Sequence, residues 1–169
     1  MADAALAVYL NDHLAGSVAA LELIESLTAH EPGQPLEQTL QGLHREISQD
    51  QQTLREILAG LDADESTLKR AAAWLTEKAG RARLALAARE HPALARLEGL
   101  ESLALGIQGK AGLWRALAEI ARDDPRLAGR EYGLLETRAI AQHAIVERAR
   151  LAAAREALGG EARTDAGGT

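Results

Sequence analysis

The chain has no cysteine and no phenylalanine, and its 169 residues include only two tryptophans, two tyrosines, one methionine and four prolines. Without cysteine there is no disulfide scaffold, no thiolate-ligated zinc or iron–sulfur site and no cysteine nucleophile. With so few β-branched and aromatic side chains, a β-sandwich lacks the material for its two packed faces. Long uncharged apolar runs are missing too: no stretch free of charge approaches membrane-spanning length. The start, MADAALAVYLNDHLAG, carries acids where a signal peptide would carry a basic segment.

What is present favours helix. Alanine (36) and leucine (28) dominate the composition, and glutamate and arginine follow. The length suits one domain with a substantial core. The net charge of −6 conceals an asymmetry: residues 1–65 hold 12 acidic and 2 basic side chains, whereas residues 66–130 hold 12 basic and 7 acidic. The basic stretch from Lys69 to Arg89 contains one aromatic, Trp74. A nucleic-acid surface needs a basic face interleaved with stacking rings, so this stretch is read as complementing the acidic first third of the same domain. The expectation is a cytoplasmic protein with no nucleic-acid partner and no membrane partner.

Breakers cut the chain into five helical segments: about Ala4 to His30, Leu36 to Gly60, Ser66 to about residue 90, Ala93 to Ala121, and Arg126 to Leu158. One domain is expected over 1–158, followed by a disordered tail over 159–169. Apolar residues recur at alternating threes and fours. The second segment is the most regular, with Leu36, Leu40, Leu43, Ile47, Asp50, Leu54, Ile57 and Leu61 on one face. The same spacing gives Leu6, Leu10, His13, Ser17, Ala20, Ile24 and Leu27 in the first. The fourth gives Leu97, Leu100, Ala104, Ile107, Ala111, Trp114, Ala118 and Ala121, and the fifth Leu127, Glu131, Leu134, Arg138, Ala141, Ile145, Ala149 and Ala152. Such seams belong to four-helix bundles. Short loops make the first and second segments, and the fourth and fifth, antiparallel hairpins. The third segment is long enough to run back along the bundle's outside, which sets the second and fourth parallel.

Two antiparallel hairpins joined by a long helical crossover resemble the ferritin-like superfamily. The resemblance spans residues 4–158 and lies in helix order and length. It implies an all-α, ferritin-like four-helix bundle with five helices in all. It also implies two iron or manganese ions at mid-bundle, held by a Glu on each of two helices and Glu-x-x-His on each of the others. This chain departs from that pattern. No glutamate has histidine three residues on: Glu46 is followed by Gln49, Glu131 by Leu134, Glu136 by Ala139 and Glu147 by Arg150. No ligand is carried over, and no cofactor is expected. The alternative is an iron or manganese ion on Glu136, His143 and Glu147, which share one stripe of the fifth segment, joined by Glu22 or Glu101. That stripe falls opposite the expected seam, so it reads first as a solvated face; His44 and Arg45 also read as surface residues.

More informative is what interrupts the seams. Asp50 is the only polar residue in its ladder. Folding the hairpins about their loops sets Ser17 near Gln49 and Asp50, with His13 one turn away. The same construction sets Arg138 opposite Lys110, Gln142 near Gly106, and Asp50 close to Lys110. Ser17, His13, Asp50, Lys110 and Arg138 are therefore expected to form one interior polar layer where the superfamily keeps its metals. Two cations around one carboxylate repel a metal dication, and buried charges persist only when paired. Three function classes follow. The leading one is a non-catalytic helical-bundle scaffold or partner-binding module that associates with itself or another protein. A divergent metal-dependent oxidase or metal-storage protein is the alternative. A carrier of an apolar ligand is the third, because Ser102, Gly106, Gly109, Gly112 and Ala116 leave room along the fourth segment.

Overall fold

The computed structural model describes residues 2–30, 33, 35–61 and 91–159. The expected crossover helix, its Ser66 start and residues 160–169 of the expected tail lie outside the described residues. Among the described residues there are four helices and no strand: α1 Ala2–Ala29, α2 Pro35–Ala59, α3 Pro92–Ile120 and α4 Tyr132–Leu158. They form an all-helical bundle. Pro35 and Pro92 open α2 and α3, where a fixed φ is preorganised for the first turn and no N–H is needed. In the α1–α2 loop, Gly33 takes a left-handed φ of 75° and its N–H donates to Glu37 Oε2 at 2.7 Å.

The α2 ladder lies where its spacing puts it: Leu40, Leu43, Ile47, Asp50, Leu54, Ile57 and Leu61 are all buried. Burying each of its leucines and isoleucines contributes roughly 1.5–3 kcal/mol relative to exposure. On α3 the buried set is Leu97, Leu100, Ala104, Ile107, Ala111 and Trp114, and Leu103, Leu113 and Leu117 widen it.

Helix α4 departs from the expected seam. Its buried face is Tyr132, Ala139, Gln142, Val146 and Ala153, while Leu134 is 67% exposed and Ala141 and Ala152 face outward. Alanines occur on every side of this helix, so apolar spacing does not select one face. Tyr132 does: its ring lies 6.4 Å from that of Trp114, and its hydroxyl donates to the Leu127 carbonyl at 2.9 Å. The helix also begins at Tyr132 rather than at Arg126. Residues 121–131 form turns instead, in which the Asp124 carboxylate accepts from the Arg126 N–H at 3.0 Å and Gly129 takes a φ of 78°.

Side-chain pairs fix the helix directions. Arg96–Glu156, Glu101–Arg150, Lys110–Gln142 and Arg115–Glu136 run in opposite senses along α3 and α4. Glu25–His44 and Ser17–Gln51 do so along α1 and α2, and Glu46–Gln142 and Asp50–Arg138 along α2 and α4. At the opposite corner Gly99 sits against Leu23 and Leu27, and residues near Ser17 share a cavity with Gly109 and Lys110. Each neighbouring pair is antiparallel, so α2 and α3 are parallel. Leu61 and His91, which bracket residues 62–90, therefore stand at opposite ends of the bundle. Residues Ala4–Ala29 of α1 are long and apolar enough to cross a membrane by length and composition, which Asp12, Glu22 and Glu25 obscure in a search for uncharged runs. In this fold that helix packs on α2 and α3.

Candidate functional site

The mid-bundle layer is built from α2, α3 and α4. Asp50 is 2% exposed, because it occupies a core position of the α2 ladder. A bare carboxylate there would cost several kcal/mol. Lys110 Nζ on α3 donates to Asp50 Oδ2 and to Gln142 Oε1, and Arg138 Nη2 on α4 donates to Asp50 Oδ1. Gln142, also fully buried, passes the chain on by donating its Nε2 to Glu46 Oε2 at 2.9 Å. Burial pulls the Lys110 ammonium below the usual lysine range, and the Asp50 carboxylate opposes the shift. Five side chains on three helices thus form one polar relay with Asp50 between two cations.

The other residues expected in this layer stand beside it. Ser17 donates its hydroxyl to the Leu14 carbonyl at 2.7 Å and accepts from Gln51 Nε2 at 2.9 Å, so its partner across the hairpin is Gln51 rather than Asp50. His13 is half-buried, edge-on to Tyr9 with ring centroids 4.7 Å apart. Burial lowers its pKa, with Asp12 opposing. The residue facing Lys110 on α4 is Gln142 rather than Arg138, one turn further along. The longer α3–α4 connection causes this displacement, since it moves the centre of the hairpin. Gln142 was not counted in the layer from sequence. Its spacing of four from Arg138 was the available signal.

Glu136, His143 and Glu147 are each partly exposed rather than fully solvated, and Glu136 meets Arg115 across the α3–α4 border. Arg115 Nε donates to Glu136 Oε1 at 2.8 Å, and Arg150 donates to Glu147 at 2.7 Å and to Glu101 at 3.2 Å. Arg150 holds the Glu147 carboxyl below its ordinary range. The outward shift of the buried face of α4 turns this stripe toward α3. Among the described residues no group of three or more histidine, aspartate or glutamate side chains is placed to hold a metal ion. His44 is half-buried too, 3.3 Å from Glu25, while Arg45 is exposed.

A cavity of about 210 Å³ adjoins the charge layer between α1, α2 and α3. Its walls are mostly apolar, from Ile47, Leu54, Ile107, Leu113 and Trp114, and Asp12, His13, Asp50 and Lys110 also line it. Gly16, Gly106 and Gly109 form the exposed rim; a Cβ added at any of them would meet nothing within 4 Å. The Trp114 indole N–H is buried and has no hydrogen-bond partner. No protein-family model, no curated protein and no solved structure matches this chain.

Proposed function

We propose that this chain is a non-catalytic helical-bundle protein with a degenerate ferritin-like interior, acting as a scaffold or a self-associating, partner-binding module. The observation that carries the proposal is Asp50 held between Lys110 and Arg138 at mid-bundle. In the ferritin-like arrangement that position belongs to metal ligands. Here Lys110 and Arg138 neutralise the carboxylates of Asp50 and the Gln142-linked Glu46, a charge set that leaves no surplus of carboxylate for a dication. The antiparallel hairpins, with α2 parallel to α3, fit the same arrangement. Ser17, whose hydroxyl is committed to a backbone carbonyl, offers no activated nucleophile.

Outward-facing apolar side chains supply what a partner would bury. Ile140 (53% exposed), Leu151 (46%) and Leu158 (68%) lie along the outer side of α4, and Leu105 (70%) projects from α3. Their spacing of eleven and seven puts Ile140, Leu151 and Leu158 on one outer stripe of α4, the side that a partner helix would cover. Elemental analysis together with sedimentation of the purified protein tests the proposal. The expected result is a metal content far below one ion per chain and concentration-dependent association. About two equivalents of iron or manganese, the complement of a di-metal bundle, would restore the oxidase or storage alternative.

A further inference from the structure

Helix α3 turns a face to solvent that nothing among the described residues accounts for. Ser102, Leu105, Gly106, Gly109, Gly112 and Ala116 are all exposed there. The two charged residues within that span are engaged elsewhere, Lys110 in the Asp50 layer and Arg115 with Glu136. Glycine is a poor helix former, yet three glycines fall in two turns at mid-helix. A Cβ at any of them would meet nothing within 4 Å, so packing among the described residues does not require them. Close approach of another backbone would use them, and Leu105 is a large apolar side chain left in water beside them.

The pattern is also its own reverse. Counting outward from Gly109, a glycine stands three residues away on each side (Gly106 and Gly112), a leucine four away (Leu105 and Leu113) and a small residue seven away (Ser102 and Ala116). A two-fold axis at Gly109 therefore matches the face to an antiparallel copy of itself, with Leu105 of each chain beside Gly112 of the other. In such a pair each flank meets the same flank of the other copy. Glu101 and Arg115 share the flank toward α4, where they pair with Arg150 and Glu136. They stand eight residues before and six residues after the axis, so Glu101 of each copy comes nearly level with Arg115 of the other. Opposite charges meet twice. The α4 stripe of Ile140, Leu151 and Leu158 lacks this match, because Arg148 and Arg155 share one flank and an antiparallel copy brings like charges together. Given the self-association proposed above, on which this pairing rests, we infer that the outer α3 face is covered by a second copy of this chain, antiparallel about Gly109.

Because the chain has no cysteine, a single introduced thiol reports its own neighbour. A disulfide needs Cα atoms about 4.4–6.8 Å apart, and in a two-fold pair only residues at the axis meet their own copies that closely. Gly109→Cys, oxidised at a concentration where the parent associates, is expected to give a disulfide-linked dimer, while Ile140→Cys and Leu151→Cys on α4 stay uncrosslinked. Gly109→Leu fills open space and improves helix propensity, so it should melt no lower than the parent yet lose the dimer in sedimentation. Two results overturn the inference and leave self-association standing: association of the parent without crosslinking at Gly109→Cys, or association that survives Gly109→Leu in a folded variant. A parent that is monomeric at every concentration overturns the inference and the self-association together.

Discussion

Two sets of ion pairs hold α4 to its neighbours, and they differ in almost everything except chemistry. Along the α3–α4 border, Arg115–Glu136, Arg150–Glu101 and Arg96–Glu156 form a ladder in which at least one partner of each pair is well exposed. At mid-bundle, Asp50 is 2% exposed and Lys110 12%, while Arg138 reaches in from the border at 33%. Exposed pairs are screened by water and salt and contribute about 0–1 kcal/mol each. In the buried layer each charge depends on the other for the solvation it has lost, so removing one member strands the rest. The surface ladder records the register of the hairpin, whereas the buried layer enforces it.

The comparison breaks most easily at Asp50. Asp50→Ala leaves the Lys110 ammonium buried without its counter-charge, and the expected cost is about 3–5 kcal/mol in urea denaturation. A variant that unfolds like the parent would put the carboxylate in water. Gln142→Ala comes next. It deprives Lys110 of an acceptor and Glu46 of a donor while leaving the ion pairs, so a loss of about 1–3 kcal/mol is expected from the same measurement. Glu136→Gln, on the surface ladder, should cost no more than about 1 kcal/mol and vanish at high salt. A larger or salt-insensitive loss there would erase the distinction between the two sets.

The smallest expected effect is one of pH. Burial lowers the His13 pKa, so the folded chain binds this proton more weakly than the unfolded chain does. The stability associated with neutral His13 is therefore complete above about pH 6.5 and is lost as pH falls from there through the folded-state value. Thermal melts between pH 7 and pH 5 should show a shallower decline in His13→Gln than in the parent. Parallel curves would mean that His13 titrates as if it were in water.

Much of this architecture was legible from spacing, and the reason varies with the helix. In α2, leucine and isoleucine alternate with strongly polar residues, so one face is unmistakable and its single interruption, Asp50, stands out. In α4, alanine is spread around the whole circumference. The rotation is decided instead by Tyr132 anchoring to Leu127 and packing near Trp114, contacts that join distant positions. The same limit applies to the layer. Asp50 announces itself within its own ladder, but its partners depend on hairpin registers, and those depend on where loops end. Reading α4 as starting at Arg126 rather than Tyr132 was enough to displace Lys110 by one turn on α4 and to hide the part played by Gln142. The cavity was legible only as a row of small residues. Its walls come from three helices, and an unpaired indole N–H has no signature in sequence.

The central claim is that Asp50 and Lys110 depend on each other in the interior, and a double-mutant cycle in urea measures that dependence directly. Asp50→Ala, Lys110→Ala and the double variant should be compared with the parent. The double variant is expected to lose about 1–3 kcal/mol less than the two single losses added together, because the second substitution removes the charge stranded by the first. Losses that add to within about 0.5 kcal/mol would show that the two side chains do not interact and would contradict the account.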